Sequence, residues 1–210
     1  MITVDKLRRM LRGEVSARTV VLEALRRTRV ARARRSEREQ LAQLAQPARL
    51  CEPFAQMTAS DLLAHFQSRA APQFFPGFDS TETAESQRTL FPQETTQLLA
   101  QAMKIRDEHC WPLLGFGEKC FGVGEIDWNL DPLSGFDWPN TFHADINLIR
   151  NDGSDARVVW ELNRLAHFIT LGRAYALTGD ETFSAEFFRE LASWRAQNEI
   201  ARGVNWNCAM

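Results

Sequence analysis

Residues Trp160 to Met210, WELNRLAHFITLGRAYALTGDETFSAEFFRELASWRAQNEIARGVNWNCAM, decide the fold. Phe168, Leu171 and Tyr175 recur at spacings of three and four, as do Phe183, Phe187, Leu191 and Trp194. Each set therefore lies on one face of a 3.6-residue helix. Gly179 can enter the left-handed region without a Cβ penalty and close the first helix, and Asp180 can accept from the free N–H groups that open the second. The pattern predicts a tight αα-hairpin. Asn205 to Met210, rich in Trp and Asn, reads as the start of a further helix.

Trp160, Arg164, His167 and Leu171 also share a helical face, near the N-terminal half of the first helix. A guanidinium that forks onto a carboxylate or sulfate, an imidazole and a stacking indole together suit an anionic sugar. The plainer reading makes Trp160 core, pairs Arg164 with Glu161 or another acid, and leaves His167 a hydrogen-bonded, half-buried histidine.

The run W-E-L-N-R-x-x-H-x-x-x-L-G-x-A-Y-x-L-T-G-D from Trp160 to Asp180, the W-x-x-x-N step at Trp194 to Asn198 and the G-V-N-W step at Gly203 to Trp206 resemble the N-terminal α-helical domain of the heparinase II/III family of polysaccharide lyases. Ile126-Asp127-Trp128, Gly135 and Trp138-Pro139 resemble that family's loop-rich lead-in. The resemblance runs from Leu113 to Met210, extends back to Met57 and is absent before that. It implies an all-α incomplete (α/α) toroid whose inner helices line a long cleft, followed by a β-sandwich. It also implies that the Asn, Tyr and His that perform β-elimination on a uronic-acid glycan lie downstream of the G-x-N-W step. No catalytic residue is thus assigned here. The chain is expected to stop inside the toroid, to need the C-terminal remainder of the same protein as its partner, and to catalyse nothing alone.

On this reading residues 51–210 are the N-terminal part of the toroid and residues 1–50 a basic helical extension. At 210 residues the chain has ample size for a core. Its 25 basic and 27 acidic residues give a net charge of −2, which asks for neither nucleic acid nor an anionic membrane. The distribution is uneven: residues 1–40 hold 12 Lys/Arg against 5 Asp/Glu, and the remaining 170 hold 13 against 22. Leu7, Leu11 and Val15, then Val21, Leu22 and Leu25, mark two amphipathic segments, the second capped by Ser16 and carrying Arg26, Arg27, Arg29, Arg32, Arg34 and Arg35. That surface reads as a solvated helical face or as a docking arm for a polyanion. No apolar run reaches transmembrane length, and the head lacks the apolar stretch of a secretory signal. The family resemblance suggests a periplasmic or extracellular location.

Cys51, Cys110, Cys120 and Cys208 have neither C-x-x-C spacing nor the density of a disulfide scaffold, and His109 with Cys110 and Cys120 fits no common zinc pattern. Gly115, Gly117, Gly122 and Gly124 miss a phosphate loop, because Cys120 stands where G-x-G-x-x-G needs glycine. Asp127, Asp131, Asp137 and Asp145 lack the order of a calcium loop and are expected to cap turns. Neither metal nor cofactor is expected. A short helix is predicted near Ser60 or Asp61 with Leu62, Leu63 and Phe66 on its apolar side, stopped by Pro72, Pro76 and Gly77. An irregular connection follows over 74–90, then a helix opened by Pro92, running through Leu98, Leu99 and Met103 toward Cys110 and ended by Pro112. Trp128 and Trp138, in the helix-poor stretch 113–155, can stack on sugars or cover a helical layer.

The hairpin also matches part of a tetratricopeptide pattern at Leu171-Gly172, Tyr175, Gly179 and Phe188, which would make the chain a binding scaffold, although a second copy is missing. The expected substrate-binding residues are Trp160, Glu161, Asn163, Arg164, His167, Asn205 and Trp206. Arg164 attracts the acidic group, Glu161 orients it, His167 and Asn205 donate hydrogen bonds, and the tryptophans stack.

Overall fold

The computed structural model describes residues 12–13, 16–44, 50–68 and 80–207, and the chain divides into two compact units, Met1–Met57 and Thr58–Met210. Helix dominates the described residues, and no helix among them is long and apolar enough to cross a membrane. Leu7, Leu11 and Val15, and the stop signals Pro72, Pro76 and Gly77, lie outside the described residues.

In the first unit, helix α1 (Ala17–Leu44) opens where expected: the Thr19 amide donates to Ser16 Oγ at 3.2 Å. Pairs one turn apart line its surface. Glu23 holds Arg26 and Arg27 at 2.8 Å each, and Arg35 pairs with Glu39 at 2.9 Å. These pairs lie at the surface, where water screens them, and each adds a small increment to the helix. Val21, Leu22 and Leu25 remain exposed on it.

The second unit begins with α2 (Ala59–Gln67). Ser60 and Asp61 lie near its start, as expected, and Thr58 caps it: Thr58 Oγ1 accepts from the Asp61 amide at 3.2 Å while the Thr58 amide donates to Asp61 Oδ2 at 3.0 Å, a reciprocal capping box. Leu63 and Phe66, its expected apolar side, are exposed. The stretch expected to be irregular contains α3 (Ser80–Leu90). Its sequence, STETAESQRTL, has too few apolar residues to show a stripe, and tertiary contacts supply what periodicity lacks. Ala84 is buried in the core, and Arg88 Nη1 donates to the Leu177 carbonyl oxygen.

Pro92 opens α4 (Pro92–Glu108) at its first turn, and Leu98, Ala102 and Ile105 are buried. The helix ends before Cys110 and well before Pro112, because His109 takes the left-handed conformation at φ 50° and reverses the chain. Strands β1 (Cys110–Leu113) and β2 (Gly117–Cys120) then pair antiparallel, with Cys110 opposite Cys120. These two cysteines form a disulfide that the sparse spacing of four cysteines does not announce.

After a long ordered loop come α5 (Ala156–Leu162), α6 (His167–Thr178) and α7 (Glu181–Gln197). The expected αα-hairpin is α6–α7: Gly179 stands at φ 69°, and Asp180 Oδ1 accepts from the Thr182 amide at 2.9 Å. The face expected to run from Trp160 through Leu171 is instead divided between α5 and α6. Leu165, at φ 55°, breaks the helix in a stretch with neither Gly nor Pro to signal it, a conformation that costs a non-glycine residue roughly 1–3 kcal/mol and must be held by its surroundings.

Helix α6 packs on α3, α4 and α7. The core gathers residues such as Ile105, Trp111, Leu162, Leu171 and Phe183 with the wholly buried Trp128, and a second cluster joins Trp138, Ala156, Val159 and Val204. Trp128 and Trp138 are therefore packing residues. Asp127 and Asp131 cap turns as expected: Asp127 Oδ1 accepts from the Asn129 amide at 3.0 Å and Asp131 Oδ1 from the Leu133 amide at 2.9 Å.

Peptide mapping without reductant is expected to recover Cys110 and Cys120 as one linked species. The Cys110→Ala/Cys120→Ala double variant is expected to lose about 2–3 kcal/mol of unfolding free energy, the loop-closure value for a loop this short, measurable by urea denaturation.

Candidate functional site

The break between α5 and α6 is where the expected site residues are distributed. Asn163 Nδ2 donates to the carbonyls of Trp128 (2.8 Å) and Val159 (2.7 Å), and its Oδ1 accepts from Trp194 Nε1 at 2.8 Å. Asn205 Nδ2 reaches the same Trp128 carbonyl at 3.4 Å and Asn198 Oδ1 at 2.6 Å. Trp160 Nε1 donates to the Val204 carbonyl at 2.8 Å, which places its indole on the second core cluster. Trp160, Asn163 and Asn205 thus come together on the G-V-N-W step. Gly203 within that step sits at φ 82°, and a Cβ there would lie 3.1 Å from Asn129 Oδ1, so the turn requires glycine.

Arg164 and Trp206 are the exposed members, at 44% of the side chain and 38% of the residue. Glu161 holds Arg164 through an ion pair of 2.5 Å, the orienting role expected of it. His167 does not join them. Its side chain is fully buried, its ring stacks on Trp111 with centroids 3.8 Å apart, and its Nε2 lies 2.5 Å from Glu190 Oε2. The shared face with Arg164 is lost because the chain turns between them.

His167 belongs instead to an ionisable cluster that sequence reasoning missed. His109 Nδ1 lies 2.6 Å from the Gly122 carbonyl oxygen, which makes Nδ1 the protonated nitrogen and leaves the Nε2 lone pair free to accept. Arg189 Nη2 donates to that Nε2 at 2.6 Å and also holds Glu186, whose Oε1 is 3.1 Å from His109 Nε2. His109, Glu186 and Glu190 each present one ligand-type atom, and these atoms lie within 4.8 Å of one another. The available signal was positional: Glu186 and Glu190 follow Phe183 by three and seven residues, on the stripe of α7 that faces the core.

Burial sets the charges. It pushes the Glu190 carboxyl up to about 8, with the neighbouring Glu186 adding to the rise, and it pushes the His167 imidazole down to about 3, with His109 adding to the fall. Glu186 is pushed up by burial too, but its hydrogen bond to Arg189 prevails and holds it below the ordinary carboxylate range. The stabilisation from proton retention at Glu190 is complete below the ordinary value of 4.5 and is lost as the pH rises through about 8. That from neutral His167 is complete above 6.5 and is lost as the pH falls through about 3. Between 6.5 and 8 only the Glu190 effect remains. In buffer containing a chelator, the stability of the native chain is expected to fall across that window by on the order of 1 kcal/mol. Glu190→Gln, which keeps a neutral hydrogen-bonding side chain, is expected to flatten that fall while retaining the fold, as thermal melts across the window would record.

Comparison with the curated proteins and with the solved structures finds no match. The family described as Heparinase II/III N-terminus matches residues 37–207, a span that covers the hairpin α6–α7, the G-V-N-W step and the buried cluster. The chain belongs to the heparinase II/III N-terminal domain family.

Proposed function

We propose that this chain forms the substrate cleft of a polysaccharide lyase that cleaves uronic-acid glycans by β-elimination, its helices contributing to an incomplete (α/α) toroid. The observation that carries this reading is the family match over residues 37–207. In such a reaction a base removes the proton at C5 of the uronate, a double bond forms between C4 and C5, and the bond from C4 to the glycosidic oxygen breaks. Charge neutralisation of the carboxylate and a positioned base are needed together. The residues proposed here supply recognition.

Arg164 receives the uronate carboxylate or a sulfate, and its ion pair with Glu161 limits the rotamers lost on binding. Trp206 offers an exposed ring face for stacking, Trp160 borders the same step through its bond to Val204, and Asn205, its carboxamide turned inward onto Trp128 and Asn198, holds the step that carries Trp206. Asn163 and His167 act behind this surface, as positioning residues.

The test is an assay of the protein that carries this chain on heparan-like, alginate-like and exopolysaccharide substrates, following absorbance of the new C4–C5 double bond. Unsaturated product from one of them is the expected result, and Arg164→Ala is expected to raise KM about tenfold, the loss of one charge-assisted contact. Absence of unsaturated product on every polymer would remove the lyase reading, and an unchanged KM would remove Arg164 from the cleft.

A further inference from the structure

The buried cluster at the base of the β-hairpin holds more acid than its hydrogen bonds account for. Glu186 has Arg189 as its cation. Glu190, one turn further along α7, is fully buried; His167 meets it at Oε2, the Glu186 carboxyl is its other hydrogen-bonding neighbour, and Oε1 meets no donor among the described residues. An orphaned carboxylate oxygen in the interior is costly unless a cation or a proton meets it. It lies in the same small space as the Nε2 lone pair of His109.

We propose that His109 Nε2, Glu186 and Glu190 bind one divalent first-row transition cation, which displaces the Arg189 guanidinium from between His109 and Glu186. One imidazole nitrogen with two carboxylate oxygens is a donor set suited to zinc or manganese. The two glutamates, four residues apart on α7 (Glu181–Gln197), project from one face of the helix, and His109 faces them from the turn that ends α4. Ligands of a tetrahedral ion with bonds near 2.1 Å stand about 3.4 Å apart; His109 Nε2 and Glu186 Oε1 are already 3.1 Å apart, and the widest separation in the set, within 4.8 Å, has to close by up to about 1.4 Å, within reach of a glutamate rotamer change.

The surroundings have the character of an outer shell. The Gly122 carbonyl accepts from His109 Nδ1 at 2.6 Å and so aims Nε2 at the carboxylates, while His167 Nε2 holds Glu190 Oε2 at 2.5 Å. Such partners fix the orientation and raise the affinity of metal ligands. The Cys110–Cys120 disulfide closes the hairpin immediately after His109. Because it consumes both cysteines, the site is built from nitrogen and oxygen. Arg189, whose side chain is 44% exposed, is the cover: on binding, its guanidinium would move into solvent and open the way to the two glutamates. A bound ion would tie α7 to the junction of α4 and β1, a stabilising role separate from glycan cleavage.

The experiment is calorimetric titration of the chelator-stripped, dialysed chain with zinc and, separately, manganese, joined to thermal melts and to X-ray absorption of the zinc-loaded protein. The expected result is one equivalent bound per chain, a raised melting temperature, and a coordination shell of oxygen and nitrogen containing one imidazole. Glu190→Gln is expected to weaken binding by more than about tenfold, and Arg189→Gln, which removes the competing cation, to bind at least as tightly as the native chain. Should Glu190→Gln fail to fold, Glu186→Gln takes its place, and the absorption spectrum of the native chain needs no variant. No saturable binding of either ion, a shell containing sulfur, or undiminished affinity in the glutamate variants would overturn the proposal.

Discussion

The Asn163 carboxamide joins three parts of the larger unit. Its two donated bonds go to the Trp128 and Val159 carbonyls and its oxygen accepts the Trp194 indole N–H, so the loop before α5, the end of α5 and the last turns of α7 meet at one side chain. A carboxamide presents both donors and an acceptor in one plane, and an apolar residue of similar volume would leave the Trp194 indole N–H unpaired, at a cost of about 1–3 kcal/mol, while the Trp128 and Val159 carbonyls would keep only their bonds to Asn205 and to the residue 163 amide. The helix break follows two residues later, at Leu165 in its left-handed conformation. Without that break His167 would continue the face of Arg164; with it, one residue points to solvent and the other into the core.

Two environments follow from that turn. On the outside, Arg164 lies against Glu161 with Trp206 exposed, a surface of charge and aromatic area. On the inside, His167 stacks on Trp111 and meets Glu190, while Arg189 covers His109 and Glu186. Water screens the outer charges, so they are available to a ligand at little cost. The inner ones are desolvated, which is why Glu190 and His167 move in opposite directions from their ordinary values.

The G-V-N-W step connects the two. Gly203 supplies a backbone conformation and a close approach to Asn129 that a side chain would obstruct, Val204 gives its carbonyl to Trp160, and Asn205 shares the Trp128 carbonyl with Asn163. A motif that resembles a family signature is thus also a packing device. Its residues hold one another before they hold any ligand.

Local order was legible in the residues themselves. The stripe spacing, Gly179, Asp180, Ser16 and Pro92 specified helices and their ends because caps and 3.6-residue periodicity act within a turn or two of chain. The run from Trp160 to Asp180, together with the steps at Trp194 to Asn198 and Gly203 to Trp206 and the lead-in around Trp128 and Trp138, pointed to the family that the match over residues 37–207 shows. Four features needed tertiary structure: the polar helix α3, the break at Leu165, the Cys110–Cys120 pairing, and the burial of Glu186 and Glu190. Each depends on groups distant in sequence, such as Arg88 bonding to Leu177 or His109 facing α7 across 77 residues. A glutamate on a helix looks solvated in sequence, and only the elements that close over it decide whether it meets water, a proton or a cation.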